Sequence, residues 1–487
     1  MIKNKQCFGI DFGTTSSAVV NHLIDVDGQV HKINYGDIEG RPIPSVVAID
    51  RETGEVYTGE DAKYDRFTLS SHCEYVASVK MFLDEEYWHK NIAGKEWTTV
   101  DVAAELFKSL KKEVSEQGGD LSQAVVAIPI DFSPKKRERL REAALKAGIE
   151  VRDFVSEPTA AFYANYEALS GASTVAVFDW GGGTLDVSIL AHERGQIREL
   201  ATSGMPVAGD NLDRKLAEKI HMKFCRKKEI SIAFDDMPAK SRDMLIDKAE
   251  RAKRKLNDRY DSEEEVKVSI NRYGKLGAVN TVVGADWLDE IIRPEVEAAI
   301  ACLLQAIEES KVGRENIDAV LLVGGTSLLS LLRECLGKEF PIEKLVYPEE
   351  SMWSAGEGAA CLAEHKGTYY SNQRVGIKLA DGSEYDFLQQ GDKILGWHKE
   401  ATFALADTRK EMRLVMTGSS DLHEQEIIAV PTYRFLDEKI ELEANIDENH
   451  VFVLTAKSDC LPEKYKVCWQ YGKLKFYYQL PKSKGAM

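Results

Sequence analysis

Runs of apolar residues broken by polar turns predict most of the elements of this chain. Residues 175–190 form an apolar strand that stops at Gly181, Gly182 and Gly183 and resumes as a second apolar strand. This pattern predicts a buried β-hairpin whose tip is bare backbone. Because glycine has no Cβ, the N–H groups of such a tip can approach an anionic ligand closely.

The flanks of this tip add acidic and hydroxyl groups. Asp179 and Asp186 lie on either side of the three glycines, and Thr184 contributes a hydroxyl. A phosphate needs hydrogen-bond donors and a metal ion needs carboxylates, so the sequence around the tip is suited to both.

A second hairpin of the same design occurs earlier in the chain. Residues 7–20 contain Asp11, Gly13, Thr14 and Thr15 in the places that the acidic residue and the glycines take in the later hairpin. A single Asp-x-Gly hairpin is more often an ordinary tight turn. Two copies at domain-sized spacing favour two similar lobes, each of which contributes one phosphate-binding hairpin.

Other segments alternate between strand and helix, which is typical of an α/β fold. An apolar strand over residues 123–130 is followed by a helix that begins at Ser133 and Pro134. A buried strand then leads into Gly324 and Gly325 before an apolar helix, an arrangement that lets a ligand approach the backbone. The chain contains no Walker A or G-x-G-x-x-G pattern, so a P-loop or Rossmann phosphate site is excluded.

Three polar groups within these elements leave alternatives open. Lys80 lies in a mostly apolar stretch and is either a functional group or a lysine that reaches solvent at an edge. Glu157 lies before a proline at a predicted helix start, where simple N-terminal capping is equally reasonable. Glu250, Lys253 and Arg254 are spaced about one helical turn apart, which is also the pattern of a solvated basic face.

Beyond about residue 366 the pattern of apolar and polar residues changes to one that predicts short strands and turns. Residues 367–374 are predicted to be a linker, and residues 375–487 a separate, mainly β domain. Within it, residues 439–446 alternate strictly between polar and apolar, and residues 451–456 are predicted to return as the hairpin partner.

Composition and charge narrow the classes of function. The chain has 487 residues and a formal net charge of −17, which disfavours binding to nucleic acid or to an anionic membrane. The eight cysteines and ten histidines show no metal-binding spacing, so we expect reduced packing thiols and assign no metal to these residues. The start of the chain shows no signal peptide and no long apolar run occurs, so we expect a cytoplasmic protein.

Taken in order, these motifs resemble the seventy-kilodalton heat-shock (DnaK-type) chaperone family, within the actin-like ATPase superfamily. The matching stretches are Gly9–Thr15, the segment ending at Lys80, the strand end at Pro129, Ser156–Ala161, Phe178–Asp186, Glu250–Leu256 and Leu322–Gly325. The resemblance implies a two-lobed actin-like (ribonuclease H-like) ATPase domain over residues 1–366, with lobes of about 1–170 and 171–366. It further implies that residues 375–487 form a β-sandwich-like substrate-binding domain.

The resemblance also implies the ligands and the roles of individual residues. It implies ATP or ADP with Mg²⁺, and K⁺ as a further ion, with Asp11 and Asp179 as the metal ligands. The implied catalytic residues are Lys80, Glu157, Asp179, Thr184 and Asp11. The implied nucleotide-binding residues are Gly13, Thr14, Thr15, Gly181, Gly182, Gly183, Glu250, Lys253, Arg254, Asn257, Gly324, Gly325 and Thr326.

Several positions depart from the family pattern. Leu328 replaces an arginine that stacks on adenine, and Asn257 stands where the family usually has serine. Asp153 replaces an arginine that meets the J-domain co-chaperone, which argues against that partner. The leucine-rich acidic linker is missing, and we expect no helical lid because the chain ends after the β region.

The expected function is therefore that of an ATP-hydrolysing chaperone, or chaperone-like regulator, that binds unfolded or extended polypeptide. A nucleotide exchange factor and a J-domain protein are the partners that the resemblance implies. Two alternatives from the same superfamily stay open at this point: a small-molecule kinase of the sugar type, and a filament-forming actin-like ATPase. An appended β domain disfavours both.

Overall fold

The computed structural model describes residues 5–69, 71–257, 265–365, 367–404, 411–417, 423–433 and 438–481. Residue 366, where we predicted the first domain to end, lies outside them. Contacts divide the chain into two compact units. The second unit consists of the residues from His365 onward together with 131–138 and 193–198, and the first unit contains the remainder.

The described residues up to 365 form both strands and helices. The strands are β1 (Lys5–Asp11), β2 (Ser16–Ile24), β3 (Val30–Tyr35), β4 (Ile43–Pro44), β5 (Val46–Asp50), β6 (Val56–Thr58), β7 (Cys73–Ala77), β8 (His89–Ile92), β9 (Lys95–Thr98), β10 (Gln123–Ile128), β11 (Glu150–Ser156), β12 (Thr174–Trp180), β13 (Leu185–Glu193), β14 (Gln196–Met205), β15 (Val266–Ile270), β16 (Val279–Val283), β17 (Ala319–Val323) and β18 (Leu345–Val346). The helices are α1 (Gly59–Tyr64), α2 (Arg66–Leu69), α3 (Thr99–Glu116), α4 (Pro134–Lys146), α5 (Glu157–Ala164), α6 (Tyr166–Leu169), α7 (Gly209–Lys228), α8 (Ala239–Asn257), α9 (Ala285–Ser310), α10 (Ser330–Glu339) and α11 (Ser354–Glu364).

Two sheets of this part of the chain repeat one topology. The first has the order β11-β10-β1-β2-β3, and the second includes the order β18-β17-β12-β13-β14. In each sheet a central strand pairs antiparallel with the next strand along the chain and parallel with a later one: β1 with β2 and β10, β12 with β13 and β17. The two predicted hairpins therefore occupy equivalent central places in two similar sheets.

Close backbone approach places α5 beside the first sheet. A Cβ on Gly358 of α11 would lie 1.8 Å from the carbonyl oxygen of Ala160, and one on Gly9 of β1 would lie 2.1 Å from the nitrogen of Ala360. Neither position has room for a side chain. α11 therefore lies against both β1 and α5, and Glu157, the first residue of α5, directly follows β11 of the same sheet.

The helix predicted over residues 101–117 is present as α3. Thr98 caps it, since its hydroxyl accepts the Asp101 N–H and the Asp101 carboxylate accepts the Thr98 N–H. The apolar side chains that set the four-residue period, Val102, Leu106 and Leu110 among them, are buried. None of the helices in the described part of the chain combines the length and hydrophobicity that a bilayer crossing requires.

From residue 367 onward, the described residues form strands. These are β19 (Thr368–Ser371), β20 (Arg374–Lys378), β21 (Glu384–Leu388), β22 (His398–Ala404), β23 (Glu411–Thr417), β24 (His423–Ala429), β25 (Lys439–Ile446), β26 (Phe452–Ser458), β27 (Val467–Tyr471) and β28 (Phe476–Gln479). The segment that we predicted to be a linker thus contains β19, which pairs antiparallel with β28. The prediction of a linker over residues 367–374 did not include this pairing, because the partner strand is about a hundred residues away in sequence.

Two four-stranded antiparallel sheets form the body of this second unit. Their orders are β21-β20-β23-β24 and β22-β25-β26-β27. One apolar cluster joins them, since Val375 and Phe387 from the first sheet pack with Leu442 and Phe452 from the second. The predicted hairpin is present as β25 and β26, with Ile446 opposite Phe452. Two sheets that enclose one core are the arrangement of a β-sandwich.

Candidate functional site

The tips of the two glycine-containing hairpins face each other. A Cβ on Gly182 would lie 2.7 Å from Cγ2 of Thr15, and a Cβ on Gly183 would lie 2.7 Å from Cγ2 of Thr14. Such distances are shorter than real Cβ contacts, so only glycine fits at both positions. The structure therefore brings the hydroxyl-bearing tip of β1–β2 directly against the bare-backbone tip of β12–β13.

Hydrogen bonds hold the second tip from its own lobe. The Gly181 N–H donates to the Thr184 carbonyl at 3.0 Å, which closes the turn. The Gly181 carbonyl accepts from the Thr326 hydroxyl at 2.6 Å and from the Gly209 N–H at 3.2 Å. The Asp210 N–H donates to the Gly182 carbonyl at 2.8 Å. The first turn of α7 thus fixes the orientation of the glycine peptides.

Asp11 is the last residue of β1 and Asp179 the next-to-last residue of β12, and both lie close to further carboxylates. Burial raises the pKa of Asp11, and attraction to Lys80 opposes that rise. The pKa of Asp179 lies well above its ordinary value because of burial and then because of repulsion from Glu157, Asp11 and Asp186. Oδ1 of Asp11 is buried and has no hydrogen-bond partner among the described residues. A partnerless buried carboxylate oxygen beside further carboxylates fits a hard divalent cation such as Mg²⁺.

Lys80 and Glu157 form a buried ion pair next to these carboxylates. Their side chains approach to 2.6 Å between Nζ and Oε1, and the two residues are only 6% and 8% exposed. Burial disfavours the charge of Lys80, but attraction to Glu157 and Asp11 outweighs it and raises the pKa of Lys80. Lys80 is therefore a buried ammonium group and not a lysine that reaches solvent.

Local structure explains how these two residues are positioned. Lys80 lies in a 3₁₀ turn, Val79–Phe82, directly after β7. Glu157 is the first residue of α5, and the Ser156 hydroxyl caps this helix by accepting the Thr159 N–H at 3.3 Å. The predicted helix start at Glu157 is therefore present, and its carboxylate also pairs with a lysine.

Thr184 and Gly324 complete the surroundings of Asp179. The Thr184 hydroxyl donates to Oδ2 of Asp186 at 2.8 Å. Gly324 has φ +81°, and a Cβ there would lie 2.5 Å from the Trp180 carbonyl oxygen and 2.7 Å from Oδ1 of Asp179. This glycine is needed because the strand end of β17 runs against the acidic strand end of β12.

The predicted nucleoside-binding residues on α8 are paired with one another and with their neighbours. Glu250 contacts Arg254, and its carboxylate also accepts from Lys63 of α1 at 3.2 Å. Lys253 pairs with Asp213 at 2.8 Å and donates to the Gly209 carbonyl at 3.2 Å. Lys253 therefore joins α8 to the helix that supports the glycine tip.

Asn257 lies further along α8 and forms hydrogen bonds with a different segment. Its side-chain amide donates to the Leu328 carbonyl at 3.0 Å, and its side-chain oxygen accepts the Ser330 N–H at 2.8 Å. Asn257 thereby caps the start of α10 and fixes the turn that contains Leu328, whose side chain is 40% exposed. Gly325 precedes this turn, with the sulfur of Met352 3.3 Å from the place of a Cβ.

Three residues near the site were not singled out from the sequence. Asp210 accepts the Thr15 hydroxyl at 3.1 Å and so links the two hairpin lobes. Asp213 pairs with Lys253, and burial raises its pKa to about 7 despite that attraction. Lys63 reaches Glu250 from the other lobe. The two aspartates, one helical turn apart at the start of α7, were a usable signal, whereas nothing local marked Lys63.

Comparisons with known proteins agree with this architecture. The sequence model of the HSP70 family, described as Hsp70 protein, matches residues 76–368, which is more than half of the chain. Among curated proteins, the chain is 32% identical over 374 residues to the chaperone protein DnaK of Thermotoga neapolitana, covering 75% of this chain and 61% of that protein. It is 31% identical over the same length to the chaperone protein DnaK of Thermosipho melanesiensis, again covering 75% and 61%. The chain thus spans about three fifths of the length of these relatives.

Proposed function

This chain belongs to the Hsp70 family, and from that premise we propose that it is an ATP-hydrolysing chaperone or chaperone-like regulator that binds unfolded or extended polypeptide. The predicted fold, a two-lobed actin-like ATPase domain followed by a mainly β domain, is confirmed. The observation that carries the functional proposal is the meeting of the two hairpin tips beside the buried pair of Lys80 and Glu157.

In this proposal the two tips bind the phosphates of ATP from opposite sides. The first tip offers the hydroxyls of Thr14 and Thr15, and the second offers the N–H groups of Gly182 and Gly183. Gly181 belongs to the same tip and shapes it, since its N–H donates to the Thr184 carbonyl. Backbone and hydroxyl donors that the fold already holds in place cost little reorganisation when charge develops on the transferred phosphoryl group. Gly13 belongs to this set as the residue that allows the first turn, since a Cβ there would lie 2.0 Å from the Ser16 carbonyl oxygen.

Asp11 and Asp179 are the proposed ligands of Mg²⁺. When bound, Mg²⁺ would neutralise charge on the phosphates. The two carboxylates supply oxygen ligands of the kind this ion prefers, and the buried Oδ1 of Asp11 supplies an acceptor that the described residues leave without a partner. A cation here would also relieve the repulsion that raises the pKa of Asp179.

Lys80, Glu157 and Thr184 are the proposed residues for the attacking water. Lys80 keeps its proton because Glu157 and Asp11 stabilise its charge, so it can donate a hydrogen bond but does not act as a base. Glu157 holds the ammonium group in place, and the Thr184 hydroxyl donates to Asp186, whose charge also acts on Lys80. Their contribution is the orientation of a nucleophile, which is most of what phosphoryl transfer requires.

Glu250, Lys253, Arg254, Asn257, Gly324, Gly325 and Thr326 are the proposed nucleoside-side residues. In the structure, Lys253 and Thr326 also support the glycine tip. Residues 1–366 are the proposed ATPase domain and residues 375–487 the proposed polypeptide-binding domain. Unfolded polypeptide, a nucleotide exchange factor and a J-domain protein are the proposed partners, although Asp153 changes the expected J-domain contact.

One experiment on the full chain tests the functional proposal. Steady-state ATP hydrolysis is measured with and without Mg²⁺, with a reduced, permanently unfolded polypeptide, and with a panel of sugars. The proposal requires Mg²⁺-dependent hydrolysis and binding of the unfolded polypeptide that changes between ATP and ADP. Phosphorylation of a sugar, or ATP turnover with no polypeptide binding in either nucleotide state, would contradict it.

A further inference from the structure

A cluster of three metal-ligating side chains lies outside the nucleotide site, on the small sheet of β6, β5 and β7. Asp50 ends β5 and Cys73 begins β7, and the two residues are direct partners in the antiparallel pairing. His72 immediately precedes β7. One ligand atom from each of these residues lies within 4.8 Å of the other two. Sequence spacing gave no sign of this grouping, because the strand pairing brings the residues together.

The carboxylate of Asp50 is held in one orientation. Its Oδ1 accepts the N–H groups of Glu52 at 2.9 Å and Thr53 at 2.8 Å, which fixes the side chain in the turn after β5. Its other oxygen, Oδ2, lies 3.7 Å from Nε2 of His72. The side chain of Asp50 is only 13% exposed, so it is held close to the covered face of the sheet.

The histidine ring is held from its other side. The Ser71 hydroxyl donates to the Thr68 carbonyl at 3.2 Å, and the same oxygen lies 3.2 Å from Nδ1 of His72. When the hydroxyl proton of Ser71 is used on Thr68, Nδ1 of His72 is the donor in this contact. In that tautomer of the neutral ring the lone pair is on Nε2, 3.7 Å from Oδ2 of Asp50. A cation between these two atoms would be favourable in this state, whereas a protonated ring would pair with Asp50 directly.

The third group is a thiol at the margin of an apolar cluster. Cys73 is 1% exposed and packs with Ala48, Ala62 and Leu69. The nearby cation Arg51 is paired with Glu74 at 3.2 Å, so a neighbouring carboxylate already balances its charge. A second Cys–His pair, Cys225 and His221, is less suited to a metal ion because its histidine is already hydrogen-bonded on both sides. Both ring nitrogens of His221 already have partners, the Tyr273 hydroxyl and the Ile232 carbonyl.

We propose that Asp50, His72 and Cys73 bind one Zn²⁺ ion, with water as the fourth ligand. Zinc prefers tetrahedral coordination by sulfur, nitrogen and oxygen at about 2.0–2.3 Å, which places neighbouring ligand atoms about 3.3–3.8 Å apart. The separation between His72 and Asp50 already lies in that range. Mg²⁺ and Ca²⁺ do not fit, because both prefer all-oxygen ligands. The hydrogen bond from the ring to Ser71 is the outer support that zinc-bound histidines have.

The test uses the full chain, stripped with a chelator and kept in excess Mg²⁺ so that all-oxygen sites are occupied. Competition of Zn²⁺ against a chromogenic chelator should show one bound equivalent. Cys73→Ser and His72→Asn should each weaken the binding at least about tenfold. Cys468→Ser, which changes an exposed cysteine in the other unit, is the matched control and should leave the affinity unchanged.

Cobalt substitution provides a readout that reports the ligand itself. Co²⁺ bound to a thiolate gives a sulfur-to-metal charge-transfer band, which should appear in the unchanged protein and in Cys468→Ser but not in Cys73→Ser. If Cys73→Ser fails to fold, His72→Asn decides the matter, because the side chain of His72 is 44% exposed and is not part of the apolar cluster. Absence of a bound equivalent, or binding that His72→Asn leaves unchanged, would overturn the proposal.

Discussion

The two ends of the candidate nucleotide site consist of different kinds of chemical groups. The phosphate end consists of bare backbone and short hydroxyls, with Thr15 against Gly182 and a carboxylate oxygen of Asp11 that has no partner among the described residues. The nucleoside end consists of long charged side chains that already contact one another, as Glu250 does with Lys63 and Arg254.

This difference predicts where each end acts. A group that is buried, oriented and without a partner gains the full benefit when a ligand arrives, because no existing bond must be exchanged. A side chain that is already paired gains less, since binding replaces one hydrogen bond with another. At the phosphate end this argument applies to Oδ1 of Asp11. Thr15 and Lys80, in contrast, are already paired with Asp210 and Glu157 and owe their expected effect to their proposed position at the phosphates and the attacking water. On both grounds, changes at the phosphate end should affect turnover strongly, and changes at the nucleoside end should alter affinity mildly.

The largest effect is expected from Lys80→Ala. Removing a positioned cationic donor from a buried phosphoryl-transfer site should lower the single-turnover rate of hydrolysis about 10²- to 10³-fold. ATP affinity measured by calorimetry should stay nearly unchanged, because Lys80 is assigned to the water and not to the phosphates. Lys108→Ala, at an exposed position on α3 that pairs only with Glu105 among the described residues, is the control.

Stability has to be separated from catalysis in this variant. Lys80→Ala leaves Glu157 buried beside Asp179, and breaking a buried pair costs about 3–5 kcal/mol. The double variant Lys80→Met with Glu157→Gln removes both charges and should recover most of the lost stability in urea unfolding, while hydrolysis stays low. Normal hydrolysis by Lys80→Ala would remove this lysine from the mechanism.

A smaller effect on binding is expected from Gly182→Ala. The new Cβ would lie 2.7 Å from Thr15, and overpacking of this kind costs about 1–3 kcal/mol. If the two tips must close on ATP, the affinity should fall about ten- to a hundredfold. The second change Thr15→Gly makes room for the new methyl group and should restore part of the lost ATP affinity.

Gly171→Ala is the matched control for this pair, because no atom lies within 4 Å of the place of its Cβ. Equal ATP affinities for Gly182→Ala and Gly171→Ala would show that the hairpin tips do not act together on one ligand. The proposal that the two hairpin tips together bind the phosphates would then be wrong.

Local sequence pattern could predict the hairpins but not their meeting. Consecutive glycines between apolar strands identify a tip without reference to the rest of the chain. That Thr15 packs on Gly182 depends on how two lobes far apart in sequence come together, and no short window contains that information. The same limit hid the Asp213 partner of Lys253, the Lys63 partner of Glu250 and the strand β19, which exists because β28 pairs with it.

The pH dependence of stability tests the nucleoside end. Burial raises the pKa of Asp213 from 3.8 to about 7, so the folded protein keeps a proton that the unfolded chain has already lost between those values. The stability that this group contributes is complete below about pH 4 and is lost as the pH rises through 7. Urea unfolding of Asp213→Asn should therefore show a shallower decline from pH 5 to 7.5 than the unchanged protein. Identical slopes would contradict a buried, proton-binding Asp213.

The smallest effect is expected from Leu328→Arg. The side chain of Leu328 is 40% exposed at a turn that Asn257 fixes through the Leu328 carbonyl, so a longer residue can be accommodated without repacking a core. An arginine at an exposed site gains about 0.5–1 kcal/mol from stacking on an aromatic ring. ATP should then bind about two- to fivefold more tightly by calorimetry, with little change in the rate of hydrolysis once ATP is bound.

A gain in affinity could also come from charge alone, since the new residue reduces the negative charge of the protein. Leu145→Arg makes the same change of charge at an exposed position on α4 and separates the two causes. If adenine lies at this turn, Leu328→Arg should tighten ATP more than it tightens inorganic triphosphate, whereas Leu145→Arg should affect both alike. An equal gain for triphosphate in Leu328→Arg would place the adenine elsewhere, and the nucleoside end would then have to be sought away from the turn that Asn257 supports.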